Sequence, residues 1–168
     1  MSRGKETKFL TELKQSFNEQ GCFAIKIGDT PMASGLRFTT QKEFDMVVCI
    51  KCMYVAIEAK FLGSFSAFGK NKMRDHQIEY LDKVVDAGGE AFVFLNVRFK
   101  GEKDKGIKRT NKCFIFQWDA LKEYWQDYGT IKKKDLELMM GIDGAKQRYD
   151  LSEFIKNFEV WNEPSRTD

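Results

Sequence analysis

Residues Glu43 to Lys60 read EFDMVVCIKCMYVAIEAK. Two apolar runs, FDMVVCI and MYVAIEA, flank Lys51-Cys52 and are rich in β-branched and aromatic residues, the pattern of a β-hairpin. With Lys51 and Cys52 as a two-residue turn, Ile50 faces Met53 and, further out, Asp45 faces Glu58. Strand side chains alternate between faces, which puts Glu43 on the face of Asp45 and Lys60 on the face of Glu58. Like charges directly opposite on a sheet are destabilising. Such a pair persists when a cation sits between its members, and here that is Lys60 or a divalent metal. The competing reading is that these are solvated charges at strand ends.

Outward from the hairpin, Phe9, Leu10, Leu13 and Phe17 recur at helical spacing within 5–20, and Gly21 stops that helix. Cys22 to Ile27 reads as a short strand and Gly28 to Thr40 as a loop. Phe61 to Lys72 is a Gly/Ser/Phe-rich connection. Residues 73–87 form a second helix, with Ile78, Leu81, Val84 and Val85 inward and Gly88-Gly89 at its end. Gln77 falls on the stripe of Leu81 and Val84, so its amide faces the sheet and needs a partner. Glu90 to Val97 reads as a central strand, 98–112 as a basic loop and Cys113 to Gln117 as another strand. Asp119 to Gln126 and Asp150 to Phe158 read as short helices. This order predicts a mixed β-sheet flanked by helices, an α/β class. One domain over 1–168 is expected, with a core over about 5–117 and a C-terminal helical, basic extension over about 118–168.

Composition fits a folded chain: 42% of the 168 residues are hydrophobic and 14% aromatic, with 15 Phe. That aromatic content suits a large core or an additional buried interface. The net charge of +3 is too small to imply a nucleic-acid partner by itself. Its distribution is more informative. Arg98, Lys100, Lys103, Lys105, Lys108, Arg109 and Lys112 form one cluster, Lys70, Lys72 and Arg74 a second, and Lys132 to Lys134 a third. These are solvated turns or a phosphate-binding surface around the acidic face. MSRGKETKFL has no apolar signal core and no segment has the length of a membrane span, so a cytoplasmic protein is expected. Cys22, Cys49, Cys52 and Cys113 are then expected as reduced, buried thiols, since the paired ligand spacing of a zinc site is absent. With His76 the only histidine, centres built from several histidines are excluded.

The pattern Asp45…Glu58-Ala59-Lys60 resembles the PD-(D/E)xK nuclease core. Within that superfamily the chain resembles a RecU-type Holliday junction resolvase. The resemblance is carried by Arg3-Gly4, by His76-Gln77-Ile78-Glu79 and by Gly88-Gly89-Glu90-Ala91-Phe92-Val93. It continues more weakly from Lys132-Lys133-Lys134 to Tyr149-Asp150-Leu151. It implies a restriction-endonuclease-like fold and a structure-selective DNA endonuclease of recombination and repair. It further implies Asp45, Glu58 and Gln77 as metal-binding residues and Lys60 as the stabiliser of the transition state. Glu43 stands at the remaining metal position of the family, where a Thr is usual, and is a further candidate ligand; the stalk region between the first strand and Asp45 is short. A first-helix acid completes the site in many relatives, for which Glu12 and Glu6 are the candidates.

Hard oxygen donors favour Mg²⁺ or Mn²⁺. Such an ion would acidify a bound water, and Lys60 would orient that water or offset charge on phosphorus. DNA, above all the four-way junction, is the expected partner, with Lys70, Lys72, Arg74, Lys103, Lys105, Lys108 and Arg109 as contacts. A near two-fold junction implies a homodimer, and Phe61 to Phe68 is a candidate apolar interface if it does not fold over the chain's own core. The alternatives are a non-catalytic DNA-binding or recombinase-regulating module and a duplex-cutting restriction- or repair-type nuclease of the same fold.

Overall fold

The structure is a computed structural model that describes residues 3–27, 43–101, 109–145 and 148–161. Residues 28–42, which include the expected Gly28 to Thr40 loop, and the basic candidates Lys103, Lys105 and Lys108 lie outside the described residues. In chain order the elements are α1 (Arg3–Glu19), β1 (Phe23–Lys26), β2 (Met46–Ile50), β3 (Met53–Leu62), β4 (Phe68–Gly69), a 3-10 turn (Lys70–Lys72) and α2 (Asp75–Asp86). Then follow β5 (Glu90–Phe99), β6 (Thr110–Gln117), α3 (Trp118–Tyr128), β7 (Thr130–Ile131), α4 (Lys133–Leu138), β8 (Ile142–Asp143) and α5 (Ser152–Trp161). Six strands form one mixed sheet in the order β1-β2-β3-β5-β6-β8, and β4 and β7 form a separate two-stranded ribbon.

The hairpin register is the expected one: Ile50 pairs with Met53 and Met46 with Ile57. Its turn holds Lys51 at φ 45° and Cys52 at φ 68°, both left-handed. Primed two-residue turns need that backbone because only they match strand twist, and neither residue is the Asn or Gly that adopts it most easily. Cys49 and Cys52 are exposed at this hairpin tip, so only Cys22 and Cys113 fit the expectation of buried thiols.

The central strands explain the rest. β3 is buried from Val55 through Leu62 because β2 pairs on one side and β5 on the other, with helices on both faces. β3 and β5 run parallel, Glu58 beside Val93 and Lys60 beside Leu95, and α2 makes the crossover. On one face α1 contributes Phe9, Leu13 and Phe17, and α5 contributes Phe154, against Val55, Ile57, Ala59, Phe92 and Phe94. On the other face α2 and α3 cover Ala56, Val93, Leu95 and Phe114 with Leu81, Trp118, Leu121 and Trp125.

Several elements differ from the sequence reading. β5 and β6 extend well into the expected basic loop, pairing out to Phe99 and Thr110. β4, β7, α4 and β8 were not expected at all. They are too short to show a period, and the ribbon pairs residues far apart in the chain. The Phe61–Phe68 connection packs inward: Phe61 is 7% and Phe68 0% exposed, and Phe65 packs against Phe99 and Phe114. It belongs to the chain's own core and supplies no apolar interface. Among the described residues no helix is long and apolar enough to cross a membrane.

Candidate active site

Glu58 and Lys60 are alternate residues of β3 and therefore point to the same face, the one α2 covers. That face is buried at this level: Glu58 is 0%, Lys60 6% and Gln77 7% exposed. Buried charges must be paired and hydrogen-bonded, and here they are. Lys60 Nζ lies 2.9 Å from Glu58 Oε1. It also donates to Gln77 Oε1 at 2.7 Å. Gln77 Nε2 in turn donates to Glu58 Oε1 in a short hydrogen bond. The three side chains close a ring.

The orientation of Gln77 is fixed from behind. It is the third residue of α2, and its Oε1 also accepts the N–H of Arg74, the helix N-cap, at 3.1 Å. A polar side chain at that position commonly reaches back to satisfy the cap's free N–H. With two donors on the oxygen, the amide nitrogen must face Glu58. In this arrangement Gln77 holds the carboxylate and the ammonium in place, and both lone pairs of its oxygen are in use. Sequence reasoning placed Gln77 on the correct helix face but missed this clamp; the signal was its position three residues after the N-cap Arg74.

Asp45 arrives by a different device. Its N–H donates to the Ile57 carbonyl at 3.2 Å, while Met46 is the residue paired with Ile57. Two residues thus oppose one, a β-bulge, which breaks the alternation and re-aims the side chain. The Asp45 carboxylate, 2% exposed, accepts the N–H of Ala59 at 2.9 Å through Oδ2. Ala59 lies between Glu58 and Lys60, so the bulge delivers Asp45 to the same short stretch of β3.

The same bulge removes Glu43 from this cluster. Alternation would have put Glu43 on the face of Asp45, but residues 43–45 form a bend and Glu43 is exposed. Its charge is felt by Tyr54, whose pKa is raised first by burial and then by Glu43. Glu12 is also elsewhere. It is 3% exposed on α1, which covers the opposite face of the sheet, and it pairs with Arg98. Glu6 is half-buried nearer the start of that helix. His76 is half-buried beside Gln77. Among the described residues no group of three or more His, Cys, Asp and Glu side chains is assembled that would hold a metal ion unaided.

The basic candidates that the structure describes are exposed. Lys70, Lys72 and Arg74 occupy the segment that leads into α2, and Arg109 stands at the start of β6. Lys132 to Lys134 follow β7, whose pairing with β4 brings them to the same ribbon that precedes Lys70.

The chain was compared with known proteins. No curated protein matches it. A solved structure of Archaeoglobus fulgidus Hjc, described as a Holliday junction resolvase from an archaeal hyperthermophile, is similar with a TM-score of 0.42 and 15% identity. That similarity covers 77% of this chain and 98% of the other. The profile of the family described as Recombination protein U matches residues 29–159, a span that contains Asp45, Glu58, Lys60 and Gln77 and most of the chain. The chain belongs to the RecU family.

Proposed function

We propose that this protein is a metal-dependent endonuclease that resolves four-way DNA junctions in recombination and repair. One observation carries the reading: Asp45 and Glu58, both buried, converge on one stretch of β3 beside an ammonium held by a buried glutamine. Burying two carboxylates is costly, and a scaffold gains nothing from it that apolar residues would not supply better. The donor set suits the implied metal. Carboxylate oxygens are hard donors, and the cluster of Asp45, Glu58 and Lys60 carries more negative than positive charge. Asp45 and Glu58 would hold the ion. Bound there, Mg²⁺ or Mn²⁺ would neutralise the scissile phosphate and acidify a water.

The chain's own groups do the positioning. The Ala59 N–H fixes the Asp45 carboxylate against β3 at 2.9 Å. Gln77 keeps Glu58 and Lys60 from swinging apart. Lys60 presents a fixed positive charge where negative charge grows on phosphorus in the transition state. Lys70, Lys72 and Arg74, at the mouth of α2, meet the DNA backbone.

The test is cleavage of a four-way junction, a plain duplex and a flap with Mg²⁺, Mn²⁺ or EDTA. Junction cleavage that EDTA abolishes is expected. Equal cutting of plain duplex would move the reading to a duplex nuclease, and tight binding without cleavage to a DNA-binding or recombinase-regulating module. Lys60→Ala is expected to lower turnover by about 10²-fold or more, the scale of losing one preorganised charge. Because the ammonium now competes for the Glu58 carboxylate, Mn²⁺ affinity of that variant should hold or rise. A calorimetric titration showing lost Mn²⁺ binding would contradict the assigned role.

We further propose a symmetric dimer, since paired cuts across a two-fold junction need two sites. Phe23 and Ile25, 68% and 44% exposed on the edge strand β1, supply an apolar surface for it. Light scattering is expected to give about twice the 19.5 kDa chain mass. A monomer that still makes paired junction cuts would defeat this.

A further inference from the structure

We propose that the β4–β7 ribbon is a second DNA-backbone site, continuous with the active site, in which Lys132, Lys133 and Lys134 grip a duplex arm beyond the scissile phosphate. This rests on the nuclease reading above. The observation is a juxtaposition that sequence separation hides. Pairing of Phe68 with Ile131 and of Gly69 with Thr130 places Lys132–Lys134 at one end of the ribbon and Lys70–Lys72 at the other. All six side chains of Lys70, Lys72, Arg74, Lys132, Lys133 and Lys134 are exposed.

These cations are not consumed internally. Among the described residues the one ion pair in the set joins Lys133 to Glu137 at 3.7 Å, an exposed contact of little strength. The nearby Asp135 carboxylate accepts the Lys132 N–H at 3.2 Å and so is engaged with backbone. The field of Lys70 reaches Asp82, whose carboxyl burial would raise but which the hydrogen bonds of Lys122 and Trp118 hold below its ordinary value.

The platform is rigid, as a positioning surface must be. Phe68 and Ile131 are 0% and 1% exposed. Phe68 stacks on Phe116 at 6.3 Å, and its carbonyl accepts the Trp125 indole N–H at 3.3 Å. The strands approach so closely that a Cβ on Gly69 would lie 2.6 Å from Thr130 Cγ2. At the other end the track meets the chemistry, because the Arg74 N–H holds Gln77 and Gln77 holds Lys60. Spaced cations on a fixed ribbon, leading to a phosphodiester-cutting centre, match successive phosphates of a backbone rather than a single anion.

The experiment uses the full chain carrying Lys132→Glu, Lys133→Glu and Lys134→Glu together. Binding to a fluorescent four-way junction is titrated across salt, and cleavage is measured at saturating DNA with Mg²⁺. Affinity is expected to fall tenfold or more at moderate salt. The slope of log K against log salt should drop by about two to three, roughly 0.9 per lost phosphate contact. Lys156→Glu, at an exposed position of α5, should change neither affinity nor slope. If the reversed variant melts early, the three Lys→Gln changes replace it, and the same slope change is expected. A parent that binds and cuts while either variant keeps the parental slope overturns the ribbon site alone. A parent that neither binds nor cuts DNA overturns the nuclease reading and the ribbon with it.

Discussion

Asp45→Asn is expected to reduce cleavage by about 10³-fold while leaving junction binding within a few-fold of the parent and the fold intact. The change is isosteric. The asparagine carboxamide oxygen still accepts the Ala59 N–H, now 2.9 Å from Asp45 Oδ2, so the bulge keeps its anchor. What disappears is a negative charge at the point where a metal and a phosphate would meet, and electrostatic groups of that kind are worth about 10²–10³ each in rate. Glu58→Gln should match the loss of activity but not of stability. Lys60, 6% exposed, would lose the carboxylate 2.9 Å away and be left as a buried ammonium supported by Gln77. Removing one partner of a buried pair costs about 3–5 kcal/mol, and melting of this variant should show it. The two substitutions therefore separate chemistry from folding. Single-turnover cleavage of a junction by Asp45→Asn at near parental rate would remove Asp45 from the active site.

That difference between two carboxylates was not legible in the sequence. The hairpin itself was. Apolar alternation broken only at Lys51-Cys52 sets one register, and the pairing of Met46 with Ile57 agrees with it. The sequence also placed Glu58, Lys60 and Gln77 on facing surfaces, because period-two and helical-stripe arguments hold in buried elements. Those arguments assume an unbroken strand. The bulge at Asp45 ends that assumption, which is why Asp45 ends up held by Ala59 while Glu43 leaves for solvent. No composition signal marks a bulge that lacks glycine.

The same limit applies to Glu12. Its position on the first helix was readable, but which face of the sheet that helix covers is a tertiary fact. The ribbon was hidden for another reason. Two-residue strands carry no period, and loop closure over the span from Phe68 to Ile131 is paid for by Phe68, Trp125 and Ile131 packing together, which single-sequence patterns do not display.

Arg98→Ala is expected to cost about 3 kcal/mol or more, and for a chain of this size to lower the melting point by roughly 6–12 °C. Glu12 is 4% exposed at its side chain, and Arg98 grips both of its oxygens, Nη1 to Oε1 at 3.1 Å and Nη2 to Oε2 in a shorter contact. Burial works against the Arg98 charge, yet the hydrogen bonds to Glu12 and Tyr149 outweigh it and raise the guanidinium above its ordinary pKa. The pair also anchors a wider network. Arg98 donates to the Tyr149 hydroxyl at 2.8 Å, that hydroxyl donates to Asn111 at 3.0 Å, and the Tyr149 N–H donates to Ser16 at 2.9 Å. Truncating Arg98 leaves the buried Glu12 carboxylate without the two hydrogen bonds that Arg98 supplies. Removing both charges should hurt less than removing one. Glu12→Leu with Arg98→Leu is expected to cost no more than half of what Arg98→Leu costs alone, a coupling that a double-mutant cycle built on the two Leu variants reads directly. Additive losses, or a single-variant cost under about 1 kcal/mol, would show that the pair behaves like a solvated surface contact. The pair lies on the face of the sheet opposite Glu58. Below its melting point, Glu12→Gln should therefore cut a junction at near parental rate; a loss of 10²-fold or more in the folded variant would return Glu12 to the role of first-helix acid.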